Sequence, residues 1–83
     1  MSTKQELLSE LLTVAHKTSL WQLGLIMSKL KNHREFSALS MIAEIKELES
    51  LGGAEKQIIE LEKKLMSQAS QRTMETLIKF FIH

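Results

Sequence analysis

Residues 45–58 read Ile-Lys-Glu-Leu-Glu-Ser-Leu-Gly-Gly-Ala-Glu-Lys-Gln-Ile, and this stretch carries the strongest architectural signal in the chain. On both sides of Gly52-Gly53, apolar residues recur at intervals of three and four, which is the spacing of a helix with one buried face. Glycine readily adopts the left-handed conformation that ends a helix. A double glycine between two such patterns therefore predicts an antiparallel helical hairpin about Gly52-Gly53.

Composition extends the helical prediction to most of the chain. The 83 residues include no Pro, no Tyr and only three Gly, whereas Leu, Glu, Lys, Gln, Met and Ala are abundant. All six of these residue types favour helix. We expect an all-α fold, namely a small bundle of three to five helices in a single domain over residues 1–83.

Helix starts are predicted where a Ser, Thr or Asn precedes a Glu or Gln by three residues, because the two side chains can cap the first turn. The predicted starts are Ser2 or Thr3, Ser19 and Asn32. The first helix should run to about residue 16, the second over about 19–31 and the third over about 33–50. Whether helices continue or bend across Thr18 and Ser70 stays open at this point.

The second predicted helix has the densest apolar content of the chain. Its apolar residues are Leu20, Trp21, Leu23, Ile26, Met27 and Leu30. Because burial of apolar surface drives folding, we expect this helix to form the core, with Gly24 allowing a close backbone approach. Trp21 would then be a core anchor or, alternatively, the centre of a protein interface.

Apolar side chains also crowd the C-terminal segment. Chain ends fray unless they dock, so such a segment must pack on its own core, a second copy, another protein or a membrane surface. We predict that residues of this C-terminal segment bind a partner together with Trp21. The candidate partner-binding residues are Trp21, Leu77, Ile78, Phe80 and Phe81.

A short basic stretch lies at the predicted junction of the second and third helices. Its residues are Lys29, Lys31, His33 and Arg34. They are candidates for nucleic-acid contact, because basic side chains at a helix junction can reach phosphates. The following helix carries Glu35, Glu44 and Glu47, which phosphate would repel. A solvated positive corner and a contact with an acidic protein are the alternative interpretations.

Catalytic, cofactor and metal-binding motifs are missing from the sequence. His16, His33 and His83 lie far apart, no Asp is present to complete a catalytic triad, and no His-Glu-x-x-His pattern occurs. The glycines form no phosphate-binding loop, and the lack of Cys removes thiolate zinc sites. We expect no enzyme activity, no cofactor and no bound metal.

Targeting signals are missing as well. The segment after Met1 lacks the basic and apolar parts of a secretory signal, and no apolar run approaches the roughly 20 residues that span a bilayer. The lack of Cys fits a reducing compartment. We expect a cytoplasmic protein without a transmembrane segment.

Three short segments resemble small enterobacterial biofilm-development and two-component connector proteins. The segments are Leu23-Gly24, Leu48-Glu49 and Arg72-Thr73-Met74-Glu75. The resemblance implies a dimeric helical regulator. The pair Gly52-Gly53, with a long helix after it, departs from the compact C-terminus of that family and puts this implication in doubt.

Size and surface chemistry together give three functional hypotheses. A chain of this length buries only about 60% of its unfolded surface, so self-association would add stability, and we expect a homodimer. The first hypothesis is a regulatory or adaptor protein that binds another protein through apolar helical surfaces. The second is a small dimeric DNA-binding transcriptional regulator. The third is a structural subunit or secretion-type chaperone completed by a partner chain.

Overall fold

The computed structural model describes residues 3–82, which form five α-helices and no strand. The helices are α1 (Lys4–Lys17), α2 (Leu20–Lys29), α3 (Phe36–Leu51), α4 (Glu55–Gln68) and α5 (Gln71–Ile82). The radius of gyration is 11.8 Å, against about 12 Å expected for a folded domain of this length. The prediction of an all-α bundle of three to five helices is confirmed.

Two of the predicted capping boxes begin helices. At α1, the Thr3 hydroxyl accepts from the Glu6 backbone N–H at 3.1 Å, and the Glu6 carboxylate accepts from the Thr3 backbone N–H at 3.0 Å. The backbone hydrogen bond, helped by the Thr3 hydroxyl, lowers the pKa of the Glu6 carboxyl because it favours the ionised form. Ser19 and Gln22 form the same arrangement at α2. The alternative start at Ser2 lies outside the described residues.

The third helix begins at Phe36 and not near residue 33, because the predicted capping box of Asn32 and Glu35 does not form. In the turn before α3, the Phe36 N–H donates to the His33 carbonyl at 3.0 Å. The Glu35 carboxylate faces His33 and Arg34 and makes no cap hydrogen bond. The Arg34 guanidinium offers this carboxylate a charged contact, which competes with capping.

Three short breaks separate the other helices. Gly52 and Gly53 lie between α3 and α4 with φ of 75° and 72°, a region that favours glycine. Thr18 and Ala69 are extended, with ψ of 132° and 134°, so the chain breaks at both polar segments and does not continue as one helix. Helices α3 and α4 pack against each other. Their antiparallel pairing as a hairpin stays a prediction.

The core lies between two helix pairs. Helix α1 packs most extensively against α5, and α3 packs most extensively against α4. The largest fully buried side chains come from these four helices: Leu11, Leu39, Ile42, Ile45, Leu65, Met74 and Leu77. Full burial of an aliphatic side chain of this size contributes about 1.5–3 kcal/mol, so these residues account for much of the stability.

Helix α2 is not the core, and this sequence-based expectation is wrong. Of the six apolar residues named for this segment, Leu23 and Leu30 are buried, whereas Leu20 and Trp21 are 66% and 75% exposed; Leu25 is 46% exposed. The helix contacts only α3 and α5 to any extent. The close approach expected at Gly24 is also wrong, since a Cβ built there would meet no atom within 4 Å. The other four helices supply most of the interior, and α2 adds Leu23 to it.

A lysine links α3 to the C-terminal end of α1. The Lys46 ammonium donates to the carbonyl oxygens of Ala15 at 3.1 Å and His16 at 3.0 Å. Carbonyls of the last helical turn have no partner within the helix, and they form the negative end of the helix dipole, which favours a cation. Lys46 therefore caps α1 from a position about thirty residues later in the chain.

Leu77 and Ile82 form a matched pair of aliphatic residues on α5, one fully buried and the other 60% exposed. We expect Leu77→Ala to lower the free energy of unfolding by about 2–5 kcal/mol, because the substitution leaves a cavity in the core. Ile82→Ala should change it by less than about 1 kcal/mol. Urea titration followed by circular dichroism measures both. Equal losses would contradict the docking of α5 described above.

Gly24 offers a stabilising substitution. We expect Gly24→Ala to raise the free energy of unfolding by about 0.5–1 kcal/mol, because alanine restricts the unfolded chain and its methyl group meets no neighbour. Gly52→Ala is the control and should destabilise by about 1–2 kcal/mol, since Gly52 has a positive φ. The same urea titrations test both variants. A destabilising Gly24→Ala would mean that α2 packs more closely than described.

Candidate functional site

A groove of about 620 Å³ lies between α2 and α5, and we call it the α2–α5 groove. Its apolar lining residues are Trp21, Leu25, Ile26, Phe80 and Phe81, and its polar lining residues are Thr18, Gln22, Lys29, Thr76 and Lys79. Volumes of this size are typical of ligand-binding clefts. Apolar side chains line it and polar ones accompany them, as at protein-binding surfaces.

The periodicity of each helix brings these side chains to the groove. Trp21, Leu25 and Lys29 are spaced four residues apart and therefore lie along one side of α2. Thr76 and Phe80 have the same spacing on α5. Because α2 and α5 are in contact, the two rows flank a common depression. The groove is thus a consequence of how α2 lies on the bundle.

The charge of the α2–α5 groove is positive. Lys29 and Lys79 line it and are exposed, and within residues 3–82 neither forms an ion pair. No described lining residue carries a carboxylate, and Glu75 of α5 is not among them. The sequence has no acidic residue between Glu10 and Glu35, so α2 as a whole bears no negative side chain.

The acidic residues are concentrated on the other pair of helices. Helices α3 and α4 carry Glu44, Glu47, Glu49, Glu55, Glu60 and Glu62, of which all but the last are exposed. Glu44 and Glu60 line a separate depression between these two helices. Helices α3 and α4 thus hold six of the ten acidic residues, together with Lys46, Lys56, Lys63 and Lys64, whereas α2 has none.

The structure divides the predicted partner-binding residues into two sets. Trp21, Phe80 and Phe81 line the α2–α5 groove, with Trp21 exposed and the two phenylalanines half-buried. Leu77 and Ile78 lie in the core, where they are 0% and 7% exposed. These two residues are not accessible to a partner, because α5 turns them towards the bundle interior.

Sequence reasoning missed two residues of the groove. Leu25 and Lys79 are not among the candidate residues predicted from the sequence, although both line the groove. A signal for Leu25 was present, since it follows Trp21 by four residues and so shares its side of the helix. No local signal places Lys79 beside α2, because that proximity depends on how α5 docks.

The basic stretch at the junction of α2 and α3 is partly neutralised. Lys29, Lys31, His33 and Arg34 are all exposed, as a nucleic-acid contact would require. However, Arg34 Nε lies 3.5 Å from Glu35 Oε1, and His33 Nδ1 contacts Glu35 Oε2. The Glu35 carboxylate is 3% exposed and was predicted to repel phosphate. It instead contacts two of the four candidate residues, whereas within residues 3–82 Lys29 and Lys31 have no ion-pair partner.

Other chemistry-bearing arrangements are sparse in the part of the chain that the structure describes. Residues 3–82 contain no group of three or more His, Cys, Asp or Glu side chains that could hold a metal ion. No helix in that range is both long and apolar enough to cross a bilayer. The α2–α5 groove is therefore the candidate functional site.

Glu35 provides a test of the turn before α3. We expect Glu35→Ala to lower the free energy of unfolding by about 1–3 kcal/mol, because the contact with Arg34 is lost and the volume of a buried side chain is left empty. Glu49→Ala, at an exposed position of the same helix, should change it by less than about 0.5 kcal/mol. Thermal and urea unfolding measure both. Indistinguishable variants would show that these contacts do not hold the turn.

Comparisons with known proteins assign no family to this chain. No family model matches it, and neither a curated protein nor a solved structure does. The partial resemblance to biofilm-development and connector proteins therefore stays a hypothesis. A functional assignment depends on the chemistry of the surface itself.

Proposed function

We propose that this protein is a non-enzymatic regulatory or adaptor protein that binds another protein through the α2–α5 groove. The observation that carries the proposal is the exposure of Trp21 beside Leu25, next to the half-buried Phe80 and Phe81. Tryptophan is enriched among the residues that dominate binding energy, and a large aromatic surface left in water costs free energy until a partner covers it.

The total accessible surface supports the same proposal. The chain exposes 5737 Å², whereas a monomeric protein of this mass typically exposes roughly 5,000 Å². Three of the six large apolar residues that are exposed within residues 3–82 lie on α2, namely Leu20, Trp21 and Leu25. Contiguous exposed apolar surface of this kind is typical of protein interaction sites.

The proposed mechanism is occlusion or bridging, and it requires no movement of the core. Helix α2 is held mainly by its caps, by Leu23 and by its contacts with α3 and α5. Its exposed side is therefore available on a framework that the other four helices stabilise. In occlusion, docking in the groove would cover the partner's own binding surface. In bridging, it would hold the partner close to a second molecule bound elsewhere on this protein.

Homodimerisation is a separate part of the proposal. The small size of the chain supports it, since an additional interface would add buried apolar area. Light scattering on the purified protein measures the mass directly. Mass equal to a monomer at all accessible concentrations would eliminate this part and leave the groove proposal standing.

DNA binding remains the second candidate, supported by the exposed Lys29 and Lys31 and by the acid-free stretch around them. It is weaker because Glu35 pairs with both His33 and Arg34. Phosphate binding would weaken steeply with salt, whereas an apolar protein interface would respond little. A structural subunit or chaperone completed by another chain is the third candidate, and such a protein would be molten or insoluble alone.

Trp21 and Leu25 can be changed with little risk to the fold, because both are exposed. We expect Trp21→Glu with Leu25→Glu to abolish retention of partner proteins from a cell extract, since two charges would be buried in an apolar interface. Quantitative mass spectrometry of proteins bound to the immobilised chain measures this. Phe80 and Phe81 are less suitable, because half-buried residues report folding and binding together.

Leu51→Glu is the matched control, because Leu51 is as exposed as Trp21 at 75% but lies at the end of α3. It should retain the same proteins as the unchanged chain. If the groove variant also retains them, the groove is not the binding surface. If the purified protein carries nucleic acid that high salt removes, the DNA-binding candidate takes first place.

A further inference from the structure

We infer that the α2–α5 groove takes an amphipathic α-helix whose apolar side is bordered by acidic residues, supplied by a different protein. The inference rests on the proposed function and specifies the chemistry of the partner. Three features of the groove lead to it: an apolar lining, two unpaired lysines and the absence of any described carboxylate in the lining.

The apolar lining selects a helix over an extended peptide. Trp21, Leu25, Ile26 and the two phenylalanines offer no backbone hydrogen-bonding groups, and the part of the chain that the structure describes has no sheet edge to which a strand could add. An extended segment buried there would leave its N–H and C=O groups unpaired. A helix satisfies these groups internally, and a depression between two packed helices accepts the side-chain ridge of a third.

The two lysines favour acidic residues beside the apolar side of a docked helix. Lys29 comes from α2 and Lys79 from α5, so the groove has a cation on each of the helices that form it. Within residues 3–82 both lack ion-pair partners. Carboxylates along a docked helix would pair with them, whereas lysines or arginines there would be repelled. Such complementarity chiefly sets which partners are accepted.

The same charges disfavour a second copy of this chain as the occupant. Two copies that met groove to groove would place Lys29 and Lys79 of one copy against those of the other, with no carboxylate from either lining to compensate. A membrane surface is disfavoured by shape, because a lipid surface covers a protruding apolar face and does not fill a depression between helices. An acidic helix matches both the charge and the shape of the groove.

The experiment uses two synthetic peptides of about 16 residues, long enough to form a helix. Both carry Leu along one helical side, and the positions beside this row are Glu in one peptide and Lys in the other. Trp21 is the only tryptophan of the chain, so a blue shift of its fluorescence reports that the groove is covered. The titrations are made at low salt. We expect the Glu peptide to bind about fivefold more tightly or better, as two exposed charge pairs allow.

Two charge-reversal variants make the assignment specific. Lys29→Glu with Lys79→Glu should reverse the preference, so that the Lys peptide binds more tightly. Lys56→Glu with Lys63→Glu changes the net charge by the same amount at exposed positions of α4 and should leave the preference for the Glu peptide unchanged in sign. If both variants behave alike, net charge and not the groove sets the preference, and the inference falls.

The remaining outcomes are distinct from a failure of the proposed function. Equal binding of both peptides with a blue shift would overturn the acidic partner and leave protein binding through the groove intact. A blue shift only with phosphatidylglycerol vesicles would replace the helix with a membrane surface. A blue shift that grows with protein concentration alone, with doubled mass by light scattering, would identify a second copy. If no blue shift is seen in any arm, the inference is overturned. The proposed function is then tested separately by the capture experiment with the Trp21 and Leu25 variant.

Discussion

Helices α1 and α5, the first and last of the chain, pack against each other more extensively than any other pair. Leu11 on α1 and Met74 and Leu77 on α5 are completely buried. Closing the two ends of the chain in this way is entropically costly, and it is repaid only by the apolar area that the two amphipathic helices remove from water. The C-terminal helix is thereby part of the core, although a chain end would otherwise fray.

Helices α1 and α5 pack mainly against each other, and α3 packs mainly against α4, so α2 adds little to the buried core. Helix α2 contributes Leu23 to the core and presents Leu20 and Trp21 to solvent. Lys46 reinforces the arrangement from α3 by binding the last carbonyls of α1, just before the break at Thr18 that redirects the chain into α2. The position of α2 is thus a consequence of how the other helices pair.

The functional proposal follows from this placement and not from any motif. Exposed apolar residues such as Trp21 and Leu25 on one side of α2 cost free energy in the isolated protein, and a partner that covers them removes this cost. Charge distinguishes this surface from the rest of the molecule, since α2 is free of acidic residues while α3 and α4 carry most of them. The turn at Glu35 adds to the separation, because its buried carboxylate pairs locally with Arg34 and His33 and leaves Lys29 on the groove.

Local signals in the sequence were sufficient for the helical class, the starts at Thr3 and Ser19 and the break at the two glycines, because caps and backbone conformation depend on neighbouring residues. They failed at α2, where apolar content predicted burial, and at Glu35, whose carboxylate faces Arg34 and His33 and does not cap the helix. Leu77 and Phe80, three residues apart, ended in the core and in the groove for the same reason. Which apolar side is buried depends on which helices meet, and that is a property of the packed chain, not of any one segment.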